Sequence, residues 1–443
     1  MGVERGTDGE SASGPGPARV GARRGRTGSR HAEVPDVSDD ERSGAFDHLF
    51  TAAVRDGLGE EGYGSWRSID EPDAVSLSFG FPYPESFPHD ELVAAAEAVF
   101  EEERDTALQY GGGDYADRLV EVVAERERDR GIDCGTENVL LTNGATHAID
   151  VVCHTFLERG DEVFVEAPTF MGTLKLLGNY GVEITGFGND ADGLRVDAVA
   201  DELERREDAG ETPPKLLYTI PTFQNPTGTT LSHERRERLL DLAEAHDFVV
   251  VEDDAYGALR YHGEDLPPLA ALDESGRVVR TNTFSKTIAP GVRSGWVLAD
   301  EEILEEVTRM RAGGANTFTQ GVLGRYCTEG PFEENVAELR GRYAERRDHM
   351  LDRLEEHMPP GTDWTEPDGG FFVWVTLPEG IDTDELLPRA AEEGVTYLPG
   401  EQFFPDDRGE DCLRLSFSHV SPEEMERGIE ALARATRSRM AEL

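Results

Sequence analysis

Three lysines, Lys175, Lys215 and Lys286, stand among 43 Lys and Arg residues, and Lys286 has a setting that suits a reactive amine. It lies in the run Thr-Asn-Thr-Phe-Ser-Lys-Thr-Ile-Ala-Pro-Gly-Val-Arg-Ser-Gly, residues 281–295. Where chemistry needs an amine that sheds its proton and forms a Schiff base, arginine cannot replace it, because a guanidinium stays charged at any workable pH. A surface lysine that escaped replacement reads the same in isolation, so its companions decide.

Several polar motifs follow apolar runs. Thr142-Asn-Gly-Ala-Thr146 opens a helical pattern, where backbone N–H groups and the Thr146 hydroxyl can hold a phosphate at the positive end of the helix dipole; an ordinary capped turn has the same look. Val165-Glu-Ala-Pro-Thr-Phe170 places a ring just past another run, to stack on a heterocycle or to fill core. Gln224-Asn-Pro-Thr-Gly228 presents an amide on a sharp turn. Val249-Val-Val-Glu-Asp-Asp-Ala-Tyr256 ends a strand in carboxylates, which can place Asp253 against a pyridine nitrogen and Tyr256 near a ring hydroxyl. The acidic triplet also suits a divalent metal or a plain acidic surface, but no carboxylate–histidine cluster sits at a companion strand end. Together the motifs suit a phosphorylated pyridine aldehyde, with no metal.

The elements that must position these groups alternate. From Asp90 onward, apolar runs (139–141, 162–166, 216–220, 248–252) are interleaved with helical patterns (148–156, 174–180, 233–246), which argues for an α/β domain with a mainly parallel sheet and chemistry at the strand ends. A charged helical stretch from about 300 to 347 follows, then a strand-rich segment at 370–377 and a last helix over 422–443. The expected organisation is a disordered tail (1–45), the first part of a small domain (46–89), a large domain (90–314) and the rest of the small domain (315–443).

Composition narrows the partners. With 91 acidic and 43 basic residues the formal charge is −48, which disfavours nucleic acid and anionic membrane. Such an excess self-repels in dilute buffer and is screened in concentrated salt, which points to a salt-adapted cytoplasm. Cys134, Cys153, Cys327 and Cys412 share no metal-ligand spacing and read as free thiols in a reducing compartment. Neither an apolar run of membrane-spanning length nor a signal-peptide pattern is present. The Gly-, Ser- and Arg-rich tail is read as a solvated extension or a start-site artefact before a docking arm for an acidic partner.

Seven motifs in order carry a resemblance: Phe79-Gly-Phe-Pro-Tyr-Pro84, Leu108-Gln-Tyr-Gly111, Thr142-Asn-Gly-Ala145, Tyr218-Thr-Ile-Pro-Thr-Phe-Gln-Asn-Pro-Thr-Gly228, Glu252-Asp-Asp-Ala-Tyr256, Thr283-Phe-Ser-Lys286 and Leu413-Arg-Leu-Ser416. Over about residues 46–440 the chain resembles the fold type I pyridoxal-phosphate aminotransferases of class I/II. Within them it is most similar to the branch holding the 2-aminoadipate and aromatic aminotransferases and the aminotransferase-like half of the MocR regulators. The resemblance implies a mainly parallel seven-stranded large domain and a smaller α+β domain, in a homodimer with shared sites. It implies that Lys286 carries the cofactor, Asp253 pairs with the pyridine nitrogen, and Asn225 and Tyr256 bind the phenolic oxygen. Phe170 would stack on the ring, while Gly144, Ala145, Thr146, Thr283, Ser285 and Arg293 bind the phosphate and Tyr110 reaches that of the neighbouring subunit. Gly80, Asn225 and Arg414 would bind the substrate, with Arg414 gripping its α-carboxylate. Thr283 and Ala145 stand where the family often has serine; alanine keeps only the backbone N–H, at a cost of about 1 kcal/mol for one lost hydrogen bond.

The activity so implied moves an amino group from an amino acid to a 2-oxo acid, 2-oxoglutarate first among them, by ping-pong steps, with Asp253 sustaining the electron sink and Lys286 as general base. Carbon–sulfur lyase or another pyridoxal-phosphate chemistry is the first rival, since a fold does not fix an outcome. A MocR-like sensor is the second, and it requires a DNA-binding module of which the tail shows no pattern. The donor is left open: Tyr83 and Arg67 are candidates for the wall that reads its side chain, where a second arginine favours acidic donors and an apolar wall aromatic or branched ones.

Overall fold

The computed structural model describes residues 46–50, 69 and 71–443; the expected tail, 1–45, and Arg67 lie outside the described residues. Residues 46–50 belong to a separate unit and contain the short 3-10 turn Asp47–Leu49. In chain order the strands are β1 Val75–Ser76, β2 Val139–Thr142, β3 Glu162–Ala167, β4 Glu183–Asp190, β5 Gly193–Leu194, β6 Leu216–Thr219, β7 Val249–Asp253, β8 Val278–Thr283, β9 Gly295–Leu298, β10 Asp363–Trp364, β11 Phe372–Thr376, β12 Val395–Thr396, β13 Leu398–Pro399 and β14 Cys412–Ser416.

The apolar runs enter an eight-stranded sheet in the order β2-β9-β8-β7-β6-β3-β4-β5, three of them as the inner strands β3, β6 and β7 and the fourth as the edge strand β2. Strands β4, β3, β6, β7 and β8 are mutually parallel, whereas β9 runs against both β8 and β2. β2 and β6 are buried throughout, as unbroken apolar runs covered by helices on both faces must be. The eighth strand, β5, is a two-residue hairpin return on β4, so the seven strands expected are present with this short addition. Helices Ala145–Phe156, Met171–Tyr180, Val196–Ala209 and His233–His246 make the connections that parallel neighbours require.

The charged stretch resolves into three helices, Glu301–Met310, Thr317–Glu329 and Phe332–His357. Pairs of helix-breaking residues, Gly313-Gly314 and Gly330-Pro331, separate them. Leu323 and Tyr326 of the middle helix share a core with Leu119, Val123, Leu141 and Trp296, so this helix packs with the eight-stranded sheet although it lies past residue 314. A second core joins Val75, Leu77, Val373, Leu415 and Ile429 beneath the antiparallel sheet β10-β11-β14-β13. β1 runs parallel to β12 there, which ties the segment before Asp90 to the C-terminal part. The helix Phe332–His357 serves both cores, with Val336 in the first and Met350 and Leu354 in the second. Among the described residues, no helix is long and apolar enough to cross a membrane. All four cysteines are free.

Candidate active site

The carboxyl ends of β3, β6, β7 and β8, together with that of β2, face one region, where a parallel sheet presents its ligand-binding loops. Asp253 is the last residue of β7, and Lys286 sits three residues past β8. Strand alternation separates the acidic triplet. Asp253 accepts a hydrogen bond from the Tyr218 hydroxyl at 2.7 Å, while its other oxygen, Oδ1, is buried without a donor. Burial pushes its carboxyl up to about 6, and the charge of Asp254 adds to this; the Tyr218 hydroxyl and the charge of Arg280 act the other way.

Glu252 and Asp254 belong to the opposite face. There the fully buried Arg280 donates through Nε to Glu127 at 3.0 Å and through Nη2 to Asp254, with Nη1 3.2 Å from Glu252. Glu252 further accepts from the backbone N–H of Leu269 (2.9 Å) and Ala270 (3.1 Å). These two carboxylates are therefore spent on an internal ion cluster, and the triplet is neither an acidic surface nor a set of convergent metal ligands.

Lys286 is partly buried, and its Nζ donates to the Gly80 carbonyl at 3.0 Å. It lies 5.7 Å from the ring centre of Tyr256 and 5.6 Å from that of Phe371. Burial lowers the ammonium from 10.5 to about 8; the charges of Arg414 and Arg293 push the same way and that of Asp253 opposes them. Gly80 has no room for a side chain, since a Cβ would meet the Phe372 ring. Tyr256 is buried and edge-on to Phe371 at 5.5 Å, and burial holds its phenol above its usual range.

Arg414, on β14, reaches into this group although it is 3 % exposed. Its Nη1 donates to Asn225 Oδ1 at 2.9 Å and its Nη2 to the Ser78 carbonyl at 2.6 Å, leaving Nε buried without a partner. The guanidinium lies 4.0 Å from the centre of the Phe372 ring and 5.0 Å from that of Phe403. No carboxylate among the described residues forms an ion pair with it, and burial pushes it down to about 9, which leaves it charged at neutral pH. Arg414 is thus neither at the surface nor in a salt bridge among the described residues.

A second cluster lies beside the first. Register places Thr142, Gly295 and Thr283 side by side across β2, β9 and β8. Gly144, at φ 90°, precedes the helix Ala145–Phe156, whose first turn has no side-chain cap and so offers free N–H groups. A Cβ on Gly144 would come within 2.7 Å of Arg293 Nη2, which itself donates to the Asn143 carbonyl at 3.1 Å. Thr283 Oγ1 lies 2.9 Å from Ser285 Oγ and donates to the Ser294 carbonyl at 2.9 Å. Ala145 is half-buried and Thr146 exposed.

Of the residues singled out from sequence, Lys286, Gly80, Asp253, Tyr256, Asn225 and Arg414 are drawn together, as are Gly144, Ala145, Thr146, Thr283, Ser285 and Arg293. Phe170 caps the helix Met171–Tyr180, half-buried against the core of Met171 and Trp374. Tyr110 is 99 % exposed and joins neither cluster within one chain. Tyr83 is engaged elsewhere: its ring lies 4.3 Å from the Arg346 guanidinium and its N–H donates to Tyr343. A cleft of about 550 Å³ beyond the Asn225 loop, lined by Pro168, Thr227, Trp364 and Trp374 among others, includes none of the residues singled out. Sequence reasoning missed Tyr218, the carbonyls of Ser78 and Gly80, and Arg280. For Tyr218 a signal existed, since a phenol inside a buried strand needs a partner.

A phosphorylated pyridine aldehyde fits this donor set. The unpartnered Asp253 oxygen answers a protonated ring nitrogen, the uncapped helix start answers a phosphate, and the depressed lysine answers the aldehyde. The comparisons agree. The family model for aminotransferase class I and II matches residues 73–432. The aromatic-amino-acid aminotransferase 1 of Thermococcus litoralis is 39% identical over 376 residues, 84% of this chain and 90% of that protein. A kynurenine aminotransferase of Pyrococcus horikoshii, solved with PMP and kynurenine, superposes with TM-score 0.79 at 38% identity over 83% of this chain and 92% of its own. The α-aminoadipate aminotransferase LysN of Thermus thermophilus, solved with N-(5'-phosphopyridoxyl)-L-leucine, gives TM-score 0.80 at 31% identity over 90% of this chain and 100% of its own. Fold, site chemistry and kinship converge, and the chain belongs to the class I and II aminotransferases as a fold type I, pyridoxal-phosphate-dependent transaminase.

Proposed function

We propose that this transaminase takes an amino acid with an aromatic or large apolar side chain, passes the amino group to 2-oxoglutarate in ping-pong fashion, and uses Arg414 to grip the α-carboxylate common to both substrates. The observation that carries the reading is a buried guanidinium without a carboxylate, its Nε unpartnered, in the same group as the Lys286 amine. Burying such a charge is costly unless a ligand completes it, and a planar fork suits a carboxylate bidentately. The stacked pair Phe79 and Phe81, 5.2 Å apart on either side of Gly80, supports the apolar donor.

When bound, pyridoxal phosphate supplies a protonated pyridine ring that draws electrons from the amino-acid Cα as its proton leaves. Asp253 holds the ring nitrogen protonated through the oxygen that lacks a donor, with Tyr218 steadying the other oxygen. Lys286 would hold the aldehyde carbon until the substrate's amine replaces it there, and the amine so released would move the Cα proton; an amine lowered to about 8 is partly neutral at working pH and fit for both tasks. Asn225 and Tyr256 hold the phenolic oxygen, and Asn225 also steadies Arg414. Phe170 stacks on the ring. Gly144, Ala145, Thr146, Thr283, Ser285 and Arg293 hold the phosphate, with Ala145 contributing its N–H alone. The exposed Tyr110 reaches the phosphate site of a second copy, which makes the working form a homodimer.

The large domain begins at about residue 90, and the small domain's core starts within the helix Phe332–His357 and takes in the segment before residue 90. A formal charge of −48 suits a salt-rich cytoplasm. The test is an absorption spectrum in high salt during addition of phenylalanine, tyrosine or 2-aminoadipate without an oxo acid. We expect the aromatic donors to convert the cofactor band and 2-oxoglutarate to restore it. Conversion by 2-aminoadipate alone would overturn the donor assignment, and release of ammonia without an acceptor would overturn transamination.

A further inference from the structure

The rear face of β7 carries an ion cluster for which the site chemistry has no direct use. Three carboxylates, Glu127, Glu252 and Asp254, meet the guanidiniums of Arg280, Arg130 and Arg236. Arg280 contacts all three carboxylates, Arg130 lies 3.5 Å from Asp254, and the charge of Arg236 acts on Glu252 and Asp254 while its own donors go to the carbonyls of Leu231, Pro267 and Pro221. The cluster spans four elements: the helix Asp114–Asp129 supplies Glu127, β7 supplies Glu252, β8 supplies Arg280, and Trp296 on β9 donates to Glu127 at 2.9 Å. Parallel register sets Glu252 beside Arg280 and Asp253 beside Thr281.

We propose that Arg280 is a positioning residue for Asp253: by holding the carboxylates on either side of it from behind, it keeps the front carboxylate in place and anionic for the ring nitrogen. The inference rests on the assignment of Asp253 to that nitrogen. Like charges on adjacent residues of one strand oppose one another's ionisation, and a buried cation between two of them removes most of that opposition. The remaining groups that act on Asp253 come from every side: Tyr218 on β6, the Thr281 hydroxyl on β8, Glu166 on β3, Tyr256 and Lys286 at the site, and Asp254 beside it. Glu166 is already engaged, accepting from Thr219 (2.9 Å), the Ile220 N–H (3.0 Å) and Gln224 (3.1 Å). Arg280 is therefore the cation that touches all three rear carboxylates, with the charges of Arg130 and Arg236 adding to its own.

The experiment measures the affinity of the apoprotein, in high salt, for 4′-deoxypyridoxine 5′-phosphate across pH 5 to 9; this pyridine phosphate has no aldehyde, so the covalent step at Lys286 does not enter. Wild type should lose affinity as pH falls through about 6, more steeply than protonation of the ligand's phosphate alone accounts for, and Asp253→Asn should lose that excess. Arg280→Met should move the midpoint up by about one pH unit, weakening binding about twofold at pH 7 and on the order of tenfold at pH 5. Asp254→Asn should move it down, and Arg280→Met combined with Glu252→Gln and Asp254→Asn should return it towards wild type. A folded Arg280→Met with an unmoved midpoint, or single variants shifting it in the same direction, overturns the inference. Should Arg280→Met fail to fold, Asp254→Asn decides alone: a fall supports the inference, and no change or a rise overturns it. If Asp253→Asn retains the wild-type pH dependence, the fault lies with the assignment of Asp253 and not with Arg280.

Discussion

Arg280 and Arg414 are both buried guanidiniums, 0 % and 3 % exposed, on strands of different sheets, yet they are used in opposite ways. Arg280 has three carboxylates, one from a helix and two from β7 and the residue after it, so its charge is answered inside the fold. Arg414 has an amide oxygen, a backbone carbonyl and two aromatic faces, so its charge is answered only when something arrives. A buried charge with carboxylates built in beside it is structure; one with no carboxylate is a site waiting for a ligand.

The comparison can be broken most forcefully through the amine that Arg414 influences. On the proposed roles, Lys286→Ala would remove both the cofactor anchor and the base, and kcat should fall by about 10⁴-fold or more while the melting temperature changes little, measured by initial rates and calorimetry. Next come the two arginines themselves. Arg280→Met leaves carboxylates buried and unpaired, and should lower stability by about 3–5 kcal/mol in denaturant titration. Arg414→Met should cost about 3 kcal/mol of transition-state binding, on the order of a hundredfold in kcat/KM, yet leave the apoprotein as stable or more so, because an uncompensated charge has been taken out. Equal destabilisation by the two variants would erase the distinction.

A smaller effect ties the two sites together. Amine-specific labelling of Lys286, assignable because the chain has three lysines, should rise with pH around a midpoint near 8, since the amine is neutral above it. Arg414→Met should move that midpoint upward by removing a neighbouring positive charge; a downward shift would contradict the geometry. The smallest effect lies at the phosphate end, where Ala145→Ser should tighten cofactor binding by about 1 kcal/mol in a titration of apoprotein, by restoring one hydroxyl donor.

Much of this was legible beforehand because local patterns carried it. The apolar runs at 139–141, 162–166, 216–220 and 248–252 became β2, β3, β6 and β7, and the helical pattern 233–246 became a helix with those ends. The motif residues after those strands come together as the candidate site because a parallel sheet delivers its loops to one edge. What stayed hidden depends on partners distant in sequence. Glu127 closes a helix of alternating charges and looks solvated, yet it is 2 % exposed because Arg280, 153 positions away, lies against it. Arg414 reads as surface for the same reason. The antiparallel β9 was missed because Gly-Trp-Val-Leu is too short to show a period.

The helix Phe332–His357 has a mechanical consequence. Its 26 residues make a rod about 39 Å long, so a tilt of about 5° at one end sweeps the other through about 3 Å. One end is seated in the core of the eight-stranded sheet by Val336, and further along Arg346 grips the Phe417 carbonyl at 3.0 Å, just past the strand that carries Arg414. Such a lever gears a slight rotation in one body to a displacement in the other as long as a hydrogen bond, and its stiffness sets how faithfully that motion is transmitted.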